Sequence, residues 1–163
     1  MRTDNYIIRE LQLKDNKQIA RVIRDVLIEF GVPKVGTAYE DKALDMMFET
    51  YNMPNCLFFV VEMNDKIIGG AGIMQLKGST ENICELQKMY FYDKARGKGL
   101  GAKMINTCLD KAREFGYGKC YLETLPYMKG ALKLYHKIGF KPLDSPLGNT
   151  GHFSCNMWMI KTL

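Results

Sequence analysis

The chain has only two histidines, His136 and His152, and none of its five cysteines belongs to a CxxC pair. Zinc centres need closely spaced Cys or His ligands, so this pattern argues against a metal site. The cysteines stand at 56, 84, 108, 120 and 155, unclustered and in apolar contexts. An odd, scattered set of this kind reads as reduced and intracellular. No apolar run approaches the roughly 20 residues needed to span a bilayer. Residues 1–12, MRTDNYIIRELQ, lack the apolar segment of a secretion signal. The expectation is a cytoplasmic protein that does not contact membranes. No repeat, linker or low-complexity stretch interrupts the chain, and no RNP-type aromatic stretch or DNA-binding motif points to a nucleic-acid partner.

What is present is ordinary in amount and uneven in place. The 163 residues are 47% hydrophobic and 25% charged, enough for one domain, 1–163, with a real core. The net charge is +5. Residues 88–119 hold eight Lys/Arg against three Asp/Glu, so the whole surplus falls in that segment. A basic helix face in solvent would explain it, and so would a local anion site.

Residues 6–8 and their neighbours, NYIIREL, read as a short strand. Ile19, Val22, Ile23, Val26, Leu27 and Phe30 recur at helical spacing and stop at Gly31. Residues 38–51 suggest a second helix through Leu44, Met47 and Phe48. CLFFVVEMNDKIIGGAGIMQL is two strands about an Asn-Asp turn, a hairpin signature. NICELQKMYFY is a further strand, residues 100–115 a helix closed by Gly116, and KCYLET a strand. YMKGALKLYHKIG is a helix ending at Gly139, and FKPLD and FSCNMWMIKTL are closing strands. Strands alternating with helices, together with hairpins, predict a mixed α/β sheet.

The most informative stretch is DKARGKGLGAKM, residues 93–104, where three glycines stand among four basic residues before a helix. A Walker A loop is excluded: Lys98 is followed by Gly99 rather than Ser or Thr, and Tyr92 stands where its first glycine belongs. A dinucleotide fingerprint fits better, through Gly97, Gly99 and Ala102, with Glu123 near the place of a ribose-binding acid. Against it, residues 93–96 separate the strand from the first glycine, and too little chain follows for a larger wound sheet.

Arg96-Gly97-Lys98-Gly99-Leu100-Gly101 also matches [QR]-x-x-G-x-[GA] between a strand and a helix. This resembles the coenzyme A signature of the GNAT superfamily of N-acyltransferases. ALKLYHKIGF at 131–140 resembles that family's A-x-x-L-Y-x-x-x-G-F segment, and CELQKMYFYDKARGKGLG its central strand and loop. The element order resembles the family's over nearly the whole chain. One position departs from it, with Met128 where many members carry Asn.

The resemblance implies a seven-stranded, mostly antiparallel mixed sheet with four helices and splayed central strands. It also implies direct acyl transfer from acetyl-CoA, with no metal, to the amine of a small molecule or amino acid. Backbone N–H groups at Gly97, Lys98, Gly99, Gly101 and Ala102 would hold the pyrophosphate. Arg96, Lys98 and Lys103 would meet phosphates at the rim. The backbone of Met89 and Phe91 would pair with pantetheine, the Met89 N–H reaching the thioester oxygen. Tyr135 would protonate the leaving thiolate. Glu85 is the leading base and Glu123 the second candidate. Alternation would place Glu85, Gln87, Met89 and Phe91 on one face. His136 reads as a surface residue. Residues 148–151 read as a tight turn, with Asn149 or His152 bordering the acceptor pocket as the alternative.

Two other functions stay open on the sequence: a GNAT-like module that binds CoA without turnover and, more weakly, an NAD-binding oxidoreductase. The acceptor and the oligomeric state, including a homodimer, stay open as well.

Overall fold

The computed structural model describes residues 5–163. Seven strands form one sheet: β1 (Tyr6–Glu10), β2 (Leu57–Met63), β3 (Lys66–Gln75), β4 (Ile83–Phe91), β5 (Lys119–Thr124), β6 (Lys141–Leu143) and β7 (Met157–Thr162). Their spatial order is β1-β2-β3-β4-β5-β7-β6, and every pair is antiparallel except β4–β5. The predicted hairpin is present. Met63 pairs with Lys66 across a two-residue turn in which Asn64 and Asp65 both have positive φ, 51° and 62°. That geometry matches the twist of the flanking strands.

Two apolar layers flank the sheet. On one face lies α1 (Asn16–Glu29), burying Ile19, Ala20, Val22, Ile23, Val26 and Leu27 against Phe58, Val60 and Ile67. It ends in a paired cap: Gly31 N–H donates to Ile28 O at 3.0 Å, and Val32 N–H to Leu27 O at 3.0 Å. Gly31 adopts φ 65°, a conformation that costs a residue with a Cβ. On the other face α3 (Leu100–Glu114) and α4 (Lys129–Ile138) cover Phe59, Val61, Ile68, Leu86 and Leu122.

The second predicted helix is mostly absent as an α-helix. Residues Ala38–Glu40 and Lys42–Met46 are 3₁₀ turns, and only α2 (Met47–Tyr51) is α-helical. Asp41 between them is extended, at φ −60° and ψ 118°, which interrupts any continuous helix. So short an α-helix is unstable alone. Asn16 anchors it, its Oδ1 accepting from Phe48 N–H at 2.8 Å and its Nδ2 donating to Glu49 at 2.9 Å. The last strand also begins later than predicted. Residues 153–156 are held elsewhere, Ser154 N–H donating to Gly36 O and Ser154 Oγ to Val35 O.

The functional geometry comes from β4. It pairs with β5 only over Ile83–Lys119, Cys84–Cys120 and Glu85–Tyr121, and beyond Glu85 the strands part. Toward β3, Gln87 pairs with Gly72 and Tyr90 with Gly70, so Lys88 and Met89 both oppose Ala71. This is a β-bulge, and Lys88 sits in it at φ 52°. On β3, a Cβ on Gly69 would lie 2.1 Å from the Phe91 ring, and one on Gly72 2.5 Å from Phe58. The glycines of β3 therefore give room to the rings of Phe91 and Phe58.

Candidate active site

The glycine loop lies just after the split strand. Tyr92 N–H bonds Ile68 O at 2.8 Å, a 3₁₀ turn covers Asp93–Ala95, and α3 starts at Leu100 with Gly99 as its N-cap at φ 74°. Lys103 N–H is bonded to Gly99 O at 3.2 Å. The N–H groups of Leu100, Gly101 and Ala102, one turn earlier, have no acceptor within the helix and carry its positive dipole end. A Cβ at Gly97 or Gly99 would meet nothing within 4 Å. The space they face is open, and bare backbone can approach an anion there. Gly101 is different: its Cβ would lie 2.8 Å from Leu134, so it serves the close approach of α3 to α4.

This loop opens on a cavity of about 460 Å³ lined by Phe30, Phe91, Arg96, Gly97, Gly99, Ala102, Leu134 and Lys137. A second, smaller hollow of about 50 Å³ lies in the split itself, lined by Lys88, Met89, Glu123, Tyr135 and Cys155. Met89, Tyr90, Met128 and Ala131 line both, so the two spaces share a wall. Tyr135 is buried, its ring edge-on to Phe140 at 5.9 Å. Its hydroxyl makes no hydrogen bond among the described residues, and burial pushes its pKa well above that of an ordinary tyrosine.

A family model described as "Acetyltransferase (GNAT) family" matches residues 22–140. The chain belongs to the GNAT acetyltransferase family. It is 44% identical over 158 residues to an uncharacterised N-acetyltransferase, YjgM, of Escherichia coli, covering 96% of this chain and 95% of that one. Its fold matches a GNAT acetyltransferase from Staphylococcus aureus, at TM-score 0.86 and 20% identity over 97% and 99% of the two chains. It also matches yncA from Salmonella typhimurium, a putative acetyltransferase solved with acetyl-CoA, at TM-score 0.77 and 18% identity over 97% and 94%. As a GNAT protein the chain is an acyl-CoA-dependent acetyltransferase, and the oxidoreductase alternative falls.

Within this GNAT fold, the predicted residues divide into two groups. Met89, Phe91, Gly97, Gly99, Gly101, Ala102 and Tyr135 line the two spaces, and Lys98 is exposed at the loop tip. Glu85 does not share their face. Met89 and Phe91 pack toward α3 and α4, whereas Tyr90 packs toward α1. Before the bulge the order is reversed, with Cys84 and Leu86 toward α3. The extra residue at Lys88 shifts the alternation by one, which overturns the one-face reading. The cations are also committed differently. Arg96 forks onto Glu29 at 2.7 and 3.0 Å, donates to Phe91 O at 2.8 Å and stacks 4.9 Å over Phe30. Lys103 donates to Tyr6 OH at 2.7 Å.

Glu85 belongs to a polar cluster on the α1 and α2 side. It is buried and accepts from Gln87 Nε2 at 2.6 Å, while Gln87 Oε1 accepts from Tyr51 OH at 2.5 Å. Burial raises its pKa from 4.5 to about 6; the Gln87 bond and the charges of His152 and Lys88 oppose this, and Glu123 adds to it. Glu123 accepts from Tyr121 OH at 3.0 Å and from Thr150 Oγ1 at 2.9 and 3.0 Å. His152 Nε2 lies 2.9 Å from Asp41 Oδ2, and Lys88 Nζ lies 3.2 Å from the same oxygen. Burial disfavours the imidazolium, but the Asp41 bond and charge outweigh it, so the His152 pKa is raised. Residues 148–151 form no hydrogen-bonded turn; Asn149 is exposed and its N–H donates to Lys77 O, and His136 is exposed.

Asp41, Lys88, Tyr51 and Cys155 were not singled out from sequence. Asp41 reaches the cluster because a predicted helix is broken there, and nothing local announces that. Lys88 carried one readable signal, a lysine in the interior of a central strand.

Proposed function

We propose that the protein transfers an acetyl group from acetyl-CoA to the primary amine of a small molecule, with the two co-substrates meeting across the split between β4 and β5. The observation that carries this reading is the division at Met89. On one side lies the large cavity with its glycine loop, and Tyr135 lines the small hollow that shares the Met89 wall with it. On the other lies a buried carboxylate held near neutrality by its surroundings.

The loop fits a diphosphate: two glycines with open space beside them, three unsatisfied helical N–H groups and a local excess of positive charge. The cavity walls beyond it are apolar along Val26, Phe30, Leu100 and Leu134, which suits a pantetheine arm. The Phe91 carbonyl is already taken by Arg96, so that residue offers its N–H. Met89, beside the parted edge of β4, offers its N–H to the thioester oxygen, a preorganised donor where negative charge develops. Glu85 accepts the proton that the attacking amine loses, directly or through water, and its pKa of about 6 suits a base near neutral pH. Tyr135 keeps its proton at neutral pH and can pass it to the departing thiolate.

A thiol-release assay with acetyl-CoA across a panel of primary amines tests the reading. Acceptor-dependent thiol release, lost in Tyr135→Phe and Glu85→Gln, supports it. Acetyl-CoA binding with no release for any amine would reduce the protein to a CoA-binding module.

A further inference from the structure

The corner built by Asp41, Lys88 and His152 is unused by the reaction above. Lys88 has a side chain only 7% exposed, yet among the described residues its ammonium contacts just one group, Asp41 Oδ2 at 3.2 Å. An ammonium carries three donors, and a buried donor without a partner is costly. His152 is similarly half spent. Its Nε2 meets Asp41 at 2.9 and 3.2 Å, and its Nδ1 has no partner among the described residues. Lys88 and His152 thus share one carboxylate. Lys88 also lines the hollow in the split, with Glu123 across from it. Its backbone at φ 52° is the left-handed conformation that a lysine seldom adopts, held by the bulge.

We propose that Lys88 and His152 form a carboxylate-binding subsite, so that the acceptor is a small amine carrying its own carboxylate, an amino acid in the broad sense. The inference rests on the acetyl-transfer reading of the same site and narrows its acceptor class. The corner supplies the unspent donors of Lys88 and, when the ring is protonated, the Nδ1–H of His152. Glu123, on the wall of the same hollow, supplies acceptors for the substrate ammonium. Lys88 and Glu123, of opposite charge, both line the one small hollow, which matches a zwitterion. They mismatch a simple amine, which would leave the remaining Lys88 donors unused, and an acidic substrate lacking an amine.

The experiment compares matched acceptors: an amino acid, its carboxamide and the amine left by removing its carboxylate. Thiol release should favour the amino acid in kcat/KM by about 10- to 100-fold, the range expected for hydrogen bonds to a charged group. Lys88→Met should erase most of that preference while the acetyl-CoA Kd changes less than about twofold. His152→Gln should erase part of it and also serves if Lys88→Met fails to fold. Calorimetry on the CoA-saturated protein supplies an arm without turnover. The N-acetylated amino acid should bind more tightly than the N-acetylated amine, and Lys88→Met should remove the difference. If that difference appears while no acceptor releases thiol, the subsite stands and the transfer reading fails. If carboxamides and simple amines react as well as amino acids, or Lys88→Met keeps the preference, the subsite is overturned and the transfer reading survives.

Discussion

Glu85 and Met89 lie four residues apart on one strand, yet they face opposite sides of the sheet. The bulge at Lys88 separates them. Without it Glu85 and Met89 would share one layer, and in the proposed reaction the acceptor would have to enter beside pantetheine. In that proposal the bulge leaves the α3–α4 side to the acyl donor and the α1–α2 side, through the parted strands, to the amine.

Glu85→Gln keeps the shape and the contact with Gln87 but removes the base. We expect kcat/KM to fall by about 10²- to 10⁴-fold, with acetyl-CoA affinity unchanged. The wild type should lose activity as pH falls through about 6, because protonated Glu85 cannot accept a proton. The variant should lack that limb and regain rate at high pH, where more amine is neutral. A wild-type pH profile in Glu85→Gln, with activity lost in Glu123→Gln, would move the base to Glu123.

The same carboxylate should be visible in stability. Its folded pKa of about 6 lies above the ordinary 4.5. Between those values the folded state holds a proton that the unfolded chain has released, so stability falls as pH rises through that window. At pH 7.5 the cost is on the order of 2 kcal/mol, and at pH 4 it vanishes. Glu85→Gln should therefore raise Tm at pH 7.5 and leave it nearly unchanged at pH 4. Equal shifts at both pH values would show that burial of the charge is not the cause.

Much of this arrangement was legible in the sequence because it is local. The Asn64–Asp65 turn, the amphipathic run from Ile19 to Leu27 and the glycine loop each follow from neighbouring residues. The exceptions arise from distant contacts. Residues 38–51 carry helical apolar spacing, but Asp41 is drawn out of a helix toward Lys88 and His152. The bulge at Lys88 adds no sequence signature of its own, so an alternation count runs straight through it. Arg96 looks like a phosphate ligand in sequence, and only the fold brings Glu29 alongside.

Tyr135→Phe removes a hydroxyl that has no hydrogen-bond partner among the described residues and retains the ring packed on Phe140. We expect kcat to fall by about 10- to 1000-fold while acetyl-CoA affinity and Tm barely change. An unchanged kcat would leave Tyr135 a packing residue and require another proton source for the thiolate.

Gly99→Asp tests the loop separately from the fold. A Cβ there meets nothing within 4 Å, so the penalty to the free protein is the positive φ of 74° alone, about 1–2 kcal/mol. Acetyl-CoA binding should nevertheless be lost, since a carboxylate would stand where the diphosphate must approach. Gly99→Ala should show the same Tm loss and keep measurable binding. Normal acetyl-CoA affinity in Gly99→Asp would place the phosphates elsewhere.

The last prediction concerns the pair that holds Arg96. Its guanidinium is forked onto Glu29 and stacked on Phe30, so a phosphate arriving at the rim competes with a carboxylate already in place. Glu29 is substantially exposed, and the pair lies at the surface, where such bridges contribute about 0–1 kcal/mol. Glu29→Gln should therefore cost little stability. It should strengthen acetyl-CoA binding severalfold, because the released cation turns to the phosphates. It should also steepen the loss of affinity with rising salt, since one more exposed charge pair then depends on low ionic strength. Arg96→Gln should weaken binding and abolish the gain in the double variant, a coupling that a double-mutant cycle reads directly. If Glu29→Gln leaves the acetyl-CoA affinity and its salt dependence unchanged, Arg96 serves only to tie α1 to the end of β4, and the phosphates are met by the helix N-terminus without it.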